Sequence, residues 1–472
     1  MINIDLLYQA YLASRTVTTD SRNITPGCIF FAFKGERFDG NAFAPQALEQ
    51  GAALCVISDP QYKVDDRCIV VPDVLATLQE LAREHRRHLE IPVIGITGTN
   101  GKTTTKELVH AVLAKRYKTS ATKGNFNNHL GVPLTLMAIP ENTELAIVEM
   151  GANHPGEIAF LCGIADPDLG LITNVGRAHL EGFGSFEGVI QTKTELYRYL
   201  AVKEGTIFVN ADNPILMEQA STLATQQKPY TTQPILGDYG YYGYEGPTCP
   251  RAYGLGEKAL SVVTYGNDAS AMTRGTFVEN NPYLHFYFEV GDNVYNVHTH
   301  LLGAYNFDNC MAAVAVGMHF GVEPWDIKEA IEEYVPSNQR SEFKETALGN
   351  RLYLDCYNAN PSSMAAAIES FKAMKGTMAV IGGMHELGAE EQKEHERVVE
   401  QLAACHLDRV LLVGSEWYKI ENSKFEIENS IFTLFPDTNS VRAWLQEHPV
   451  SGATILIKGS NTNRLWTLEE LL

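Results

Sequence analysis

The stretch Gly98-Thr99-Asn100-Gly101-Lys102-Thr103-Thr104 constrains this chain more than any other. It follows the apolar run Val93–Thr97 and precedes residues whose apolar members, Leu108, Val109, Val112 and Leu113, share one helical face. A glycine-rich turn between strand and helix lets backbone N–H groups converge on one point, and the helix N-terminus adds partial positive charge there. Lys102 can then reach terminal phosphates, and the Thr103 hydroxyl can ligate Mg²⁺. The general phosphate-loop spacing wants glycine at position 96, where Ile96 stands; the glycines are Gly95 and Gly98, so the loop is a variant. A plain strand–helix turn with a surface lysine fits this context less well than a phosphate site.

A strand feeding such a loop implies an α/β sheet. With 472 residues, roughly two to four domains of about 100–200 residues are expected. Three segments separate by pattern. Residues 1–90 hold short strands at 28–33 and 54–58, a helix near 44–50, and a charged helix at 75–89 followed by Pro92. Residues 91–335 alternate strands, at Val93–Thr97, Leu145–Glu149, 169–173 and Thr206–Asn210, with helices, which predicts a mostly parallel sheet. Residues 237–256, rich in Gly and Tyr, read as an exposed loop, and a β-ribbon is predicted over 276–290 and 294–300. Residues 336–472, with strands at 352–355, 378–381, Arg409–Val413 and Thr454–Lys458 and a helix at 390–405, predict a smaller Rossmann-like domain.

The formal net charge of −20 argues against nonspecific nucleic-acid binding, where Lys and Arg must offset phosphate charge. Near the N-terminus no basic segment precedes a long apolar one, and no apolar run reaches the ~18 residues of a membrane span. The eight cysteines show no zinc-like or CxxC spacing. Reduced, packed thiols in a cytoplasmic protein are expected.

Three later positions suit a phosphate loop. Glu149 ends an apolar strand, at the rim where α/β sheets bind ligands, and could bridge Mg²⁺ ions. His179 follows another strand; a lone His is more often structural than a ligand. Lys193, in Gln-Thr-Lys-Thr-Glu, reads by default as a solvated helix lysine.

Thr97-Gly98-Thr99-Asn100-Gly101-Lys102-Thr103 resembles the loop of the Mur ligases, which join an amino acid or dipeptide to a UDP-muramyl substrate with ATP cleaved to ADP. The resemblance spans nearly the whole chain. It implies ATP contacts from Gly98, Thr99, Asn100, Gly101, Lys102, Thr103 and Thr104. It also implies two Mg²⁺ sites, one near Thr103 and Glu149, the other near Glu149, His179 and a Lys193 carbamylated by CO₂. An ammonium repels Mg²⁺, whereas a carbamate offers it hard anionic oxygen. Lys102, His179 and Lys193 are thus the expected catalytic set, the last two as metal ligands.

Gly303-Ala304-Tyr305-Asn306-Phe307-Asp308-Asn309 resembles the family's Gly-x-x-Asn-x-x-Asn helix. Asn306 and Asn309, three apart, share a face that suits an adenine edge, or else form a cap and a polar face. Arg340 and Asp355 are the expected ATP contacts at and beyond the junction with the third segment. Asp20-Ser21-Arg22, 26–35 and Asp39-Gly40-Asn41 resemble the UDP-binding first domain, with Ser21, Arg22 and Lys34 as contacts. Folylpolyglutamate synthases, relatives of the family, lack that domain.

Three phrases favour the family member that adds D-alanyl-D-alanine to the UDP-muramyl tripeptide. They are Lys123-Gly124-Asn125-Phe126-Asn127-Asn128, Gly151-Ala152-Asn153-His154-Pro155-Gly156-Glu157, and Tyr357-Asn358-Ala359-Asn360-Pro361. Asn125, Asn127, Asn128, Tyr357 and Asn358 are the substrate candidates they supply. The Asp-Asn-Pro signature of the enzyme adding lysine or diaminopimelate is absent from the third segment. One departure stands out: the family usually reads Gly-Asp-Met-x-Glu-Leu-Gly, and this chain reads Gly382-Gly383-Met384-His385-Glu386-Leu387-Gly388. His385 or Glu386 are the candidates to compensate. The implied chemistry is phosphorylation of the tripeptide carboxylate by ATP, then attack of the dipeptide amine on the acyl phosphate. A monomer is expected. The rivals are a Mur ligase adding a single amino acid and, from another class, a regulatory phosphate-loop NTPase.

Overall fold

The computed structural model describes residues 4–35, 38–225, 260–336, 342–420 and 431–472, which form three sheets flanked by helices. The expected loop at 237–256 and Arg340 lie outside the described residues.

The first sheet is parallel: β1 (Val17–Thr18), β2 (Ile29–Phe31), β3 (Leu54–Ile57) and β4 (Cys68–Val70), in that spatial order. Successive side chains point to opposite faces. Phe30, Cys55 and Ile57 therefore pack with the helix Ala44–Glu49 in a small core, while Ile29, Phe31 and Val56 enter a much larger one. That larger core also holds Leu78 and Leu81 of the helix Val74–His88 together with Val148, Ile158 and Leu161 of the second segment. The first two segments thus share apolar packing. Of the three arginines of that helix, read in the sequence as a charged domain exit, Arg83 and Arg86 are buried and Arg87 is exposed. Arg86 donates to the Ala165 and Asp166 carbonyls and to Asp168 at 2.7 Å, and Arg83 to the Gly163 carbonyl.

The central sheet contains β5 (Val93–Thr97), β6 (Thr119–Ala121), β7 (Leu145–Glu149), β8 (Leu169–Ile172), β9 (Thr206–Asn210), β10 (Ser261–Gly266), β11 (Thr273–Asn280), β12 (Tyr283–Val290) and β13 (Asn293–Leu302). Their order is β13-β12-β11-β10-β9-β8-β5-β7-β6, parallel from β6 to β11 and antiparallel from there to β13. The predicted two-stranded ribbon is three strands, because Asn281-Pro282 turns the chain inside the run read as one strand. β6 and β10, short or half-exposed, escaped the pattern. After β5 the chain visits β6 and β7 on one side and then β8 on the other. The C-terminal end of β5 is therefore a topological switch point, where such sheets bind ligands.

The third sheet holds β14 (Glu342–Glu345), β15 (Arg351–Asp355), β16 (Met378–Gly382), β17 (Arg409–Val413), β18 (Phe432–Phe435) and β19 (Thr454–Lys458), ordered β14-β15-β19-β16-β17-β18. All neighbours are parallel except the edge strand β14. The expected doubly wound domain is present, with β14 and β18 added at its edges. Six of the seven described cysteines are buried thiols. Among the described residues no helix is long and apolar enough to cross a membrane.

Candidate active site

The turn after β5 is clamped from the β8 side. The amide N–H of Thr99 donates to the Asn174 carbonyl and that of Asn100 to the Asn174 side chain, each at 3.0 Å. Thr173 and Asn174 side chains both donate to the Asn100 carbonyl, at 2.6 and 3.0 Å. Gly101 opens the helix Lys102–Ala114 at φ +76°, where a Cβ would also come within 2.6 Å of the Asn309 amide oxygen; glycine meets both demands. Lys102 folds back over the turn, donating to the Gly98 and Thr99 carbonyls at 3.0 Å. Thr104 lies half-buried on the same helical turn.

Asn306 and Asn309 lie behind the turn. Asn309 accepts from the Thr105 hydroxyl at 3.0 Å and donates to Asn306, which donates to the Leu302 carbonyl. Both side chains are buried, so in this arrangement their shared helix face supports the loop from below.

On the β7 side, Glu149 is 1% exposed and both its oxygens are engaged. The Thr103 hydroxyl donates to one at 3.0 Å and the Asn127 amide to the other at 2.8 Å. The Glu149 N–H is held by the Thr122 hydroxyl. Thr103 and Glu149 thus present a buried pair of hard oxygens beside the phosphate loop, a donor set that suits Mg²⁺. Of the other Asn127 neighbours, Asn128 caps the turn into Gly131, and Asn125 is exposed.

Lys193 is 2% exposed. Its ammonium donates to the Ala152 carbonyl at 3.2 Å and lies 5.3 Å from the Phe183 ring centre. The default reading as a solvated lysine does not hold. Burial, aided by the nearby positive charge of Lys102, brings its pKa down to about 7. His179 packs edge-on against the same Phe183 ring and is hydrogen-bonded through Nδ1 to Glu386 of the third domain. Burial lowers its pKa, Glu386 opposes this, and Lys102 and Lys193 add to it. Lys102, His179 and Lys193 therefore lie within electrostatic reach of one another. Among the described residues no three His, Cys, Asp or Glu side chains converge tightly enough to hold a metal by themselves.

The third domain meets the loop directly. Asn360 donates to the Asn100 side-chain oxygen at 2.8 Å, and Asn100 donates back at 3.4 Å. Asn360 also caps the helix Pro361–Ala373, with Ser363 completing a capping box. Nearby, the Arg177 N–H donates to Ser362, and the Arg177 guanidinium pairs with buried Glu394 at 3.1 Å. Asp355 is bound by fully buried Lys458 at 2.6 Å, and Lys458 also reaches the Asn358 carbonyl at 3.2 Å. With Gly303 and Tyr305, Asp355 lines a narrow cavity between the second and third domains. Tyr357 is half-buried on the same loop, and Asn358 is exposed.

The first-domain candidates are of a different kind. Arg22 is 87% exposed and pairs with Asp20 at 2.8 Å, Ser21 is partly exposed between them, and exposed Lys34 stands 3.4 Å from Asp39. Sequence reasoning passed over Asn174, Thr173, Thr122 and Lys458. Polar residues at the C-terminal ends of apolar strands were the available signal for Thr173, Asn174 and Lys458; Thr122 follows β6, which went unread.

Three family descriptions match the chain: the Mur ligase family catalytic domain over residues 14–91, the Mur ligase middle domain over 96–233, and the Mur ligase glutamate ligase domain over 339–461. The chain is similar to the UDP-N-acetylmuramoyl-tripeptide--D-alanyl-D-alanine ligase of Bacillus subtilis, 34% identical over 95% of this chain and 91% of that protein. The same-named protein of Escherichia coli is 33% identical over 94% and 91%. Among solved structures, the MurF ligase of Thermotoga maritima in complex with ADP superposes with a TM-score of 0.78 at 26% identity, over 100% of this chain and 98% of that one. MurF of Acinetobacter baumannii gives 0.79 at 27%, over 96% and 92%.

Proposed function

The chain belongs to the Mur ligase family, and from that premise we propose that it joins D-alanyl-D-alanine to UDP-N-acetylmuramoyl-tripeptide, cleaving ATP to ADP and phosphate. The observation that carries this reading is a phosphate loop flanked by Glu149 and Lys193 and capped by Asn360 of the third domain, in a chain alike over nearly its full length to ligases of that name.

We assign uridine-diphosphate binding to residues 1–90 through Ser21, Arg22 and Lys34, ATP binding to 91–335, and closure over the reacting groups to 336–472. The turn from Gly98 to Thr104 cradles the phosphates, and Lys102 swings from the loop carbonyls to the terminal phosphoryl group. That group passes to the tripeptide carboxylate, and the dipeptide amine then displaces phosphate from the acyl phosphate. Positioning and electrostatics carry the rate, with no protein nucleophile. Thr103 and Glu149 would hold one Mg²⁺, and His179 and Lys193, with Glu149, are the residues that would hold a second. Magnesium, when bound, offsets charge on the transferring group. A lysine neutral in part near pH 7 can take up CO₂, and the resulting carbamate exchanges a repelling cation for an oxygen donor. Asn306 and Asn309 act through the loop, and Asp355 and Arg340 complete the ATP site. Asn125, Asn127, Asn128, Tyr357 and Asn358 surround the peptide ends. We infer a cytoplasmic monomer.

Product mass analysis with UDP-muramyl tripeptide, ATP and D-alanyl-D-alanine tests the reading. The pentapeptide product supports it; ADP release with lysine or diaminopimelate but not with the dipeptide overturns it.

A further inference from the structure

The missing acid at Gly383 leads to a part of the third domain that the preceding assignments leave unused. Gly383 follows β16, and Gly414 follows β17. A Cβ at either would come within 2.4 Å of one carboxylate oxygen of Glu416, which is borne on the short 3₁₀ helix Ser415–Lys419. The side chain therefore fills a slot that two glycines leave open. That oxygen is buried without a hydrogen-bond partner, an arrangement that is costly for a polar group. The other oxygen lies 3.4 Å from Nδ1 of His385, whose side chain is 45% exposed. A carboxylate beside Nδ1 favours the tautomer with its proton there, which makes Nε2 the accepting nitrogen. Nε2 is 3.4 Å from the Thr462 hydroxyl, on the turn after β19.

The residue after His385 on the same loop, Glu386, holds His179, which lies within electrostatic reach of Lys102 in the phosphate turn. The loop is pinned from behind, since the Met384 N–H donates to buried His395 and the Gly383 N–H to the Val413 carbonyl. The other acids at this junction are committed: Glu149 to Thr103 and Asn127, Asp355 to Lys458, and Glu394 to Arg177 and Arg397. Charged and titratable groups around the pair are Glu386 on the loop, His395 and Glu391 on the helix Glu391–Ala403, and Lys419 beside Glu416.

We propose that His385 takes the proton of the incoming amine and that Glu416, in the slot opened by Gly383, is its positioning residue. The inference rests on the ligation reading above. An amine arrives as an ammonium and must lose a proton to become a nucleophile. One N–H proton passes to Nε2 of His385. The freed electron pair forms the C–N bond to the acyl carbon, the C–O bond to phosphate breaks with its electrons leaving on the phosphate, and the second N–H proton departs with that phosphate. His385 then returns its proton to water.

Hydroxylamine separates this role from a structural one, because it is already neutral at neutral pH and traps an acyl phosphate as a hydroxamate. In the full-length enzyme with UDP-muramyl tripeptide and ATP, His385→Asn lowers the ratio of dipeptide amide to hydroxamate about 100-fold. Glu416→Gln lowers it about 10-fold. Gly383→Asp alone is disruptive, because its side chain meets Glu416, whereas Gly383→Asp with Glu416→Gly restores much of the ratio by supplying the carboxylate from the other strand end. Equal loss of amide and hydroxamate in His385→Asn, or a Glu416→Gln enzyme like the wild type, overturns the proposal. A wild-type enzyme that forms neither the dipeptide amide nor the hydroxamate defeats the ligation reading, and this proposal falls with it.

Discussion

Around Lys102 the polar side chains are mostly buried and bonded to partners far away in the chain: Thr103 to Glu149, Thr105 to Asn309, Asn100 to Asn360. Around Arg22 and Lys34 they are exposed, and their partners, Asp20 and Asp39, are near neighbours in sequence. The first arrangement is organised before any ligand arrives, and preorganised groups act on the transition state. The second is held only by ion pairs with nearby residues and, on the proposed reading, gains its order from the substrate. Substitutions in the two regions should therefore separate in kind, the phosphate site through kcat and the first domain through KM.

The largest effect is expected at Glu149. Glu149→Gln keeps the shape and removes the charge, and should lower kcat about 1000-fold in an ADP-release assay. A loss below tenfold would erase the contrast between the two regions. Lys193→Ala should follow, with ligation down about 100-fold and partly rescued by formate or acetate, whose carboxylates stand in for a carbamate oxygen. The same site carries a pH signature. Lys193 is ammonium below about pH 7 and amine above it, and CO₂ adds to the amine, so a ¹³C-bicarbonate carbamate signal should grow as pH rises through 7. A signal that strengthens on acidification would count against carbamylation.

Asn360→Ser sharpens the comparison at the domain junction. Serine preserves the helix cap but is too short for Asn100, so Tm should hold while kcat falls about 5-fold, the equivalent of about 1 kcal/mol for the lost pair. A matching fall in Tm would mean that the cap, and not the pair, was lost. The smallest effect is expected at Arg22→Ala: KM for the UDP substrate up about 3-fold, with kcat unchanged. If kcat falls instead, the first domain is as preorganised as the phosphate loop.

Much of this site was readable as sequence. The turn from Gly98 to Thr104, its strand and its helix follow from spacing and periodicity, and Glu149 follows from its place at a strand's end. Lys193 was not readable as residues alone, because helix position does not reveal burial; the family resemblance singled it out. Gly383 was visible as a departure, but its partner was not. Glu386, one of the two expected substitutes, bonds to His179, and the carboxylate in the slot comes from Glu416, beyond the next strand.

The sequence by itself determined the α/β class, the phosphate turn and most of the strands, because these depend on residues within a few positions of one another. Tertiary packing decided that Arg86 is buried against Asp168, that Asn360 meets Asn100, and that Glu416 fills the space above Gly383. Those contacts depend on which strand ends the sheet order brings together and on which side chains then lose water, and no local pattern encodes either.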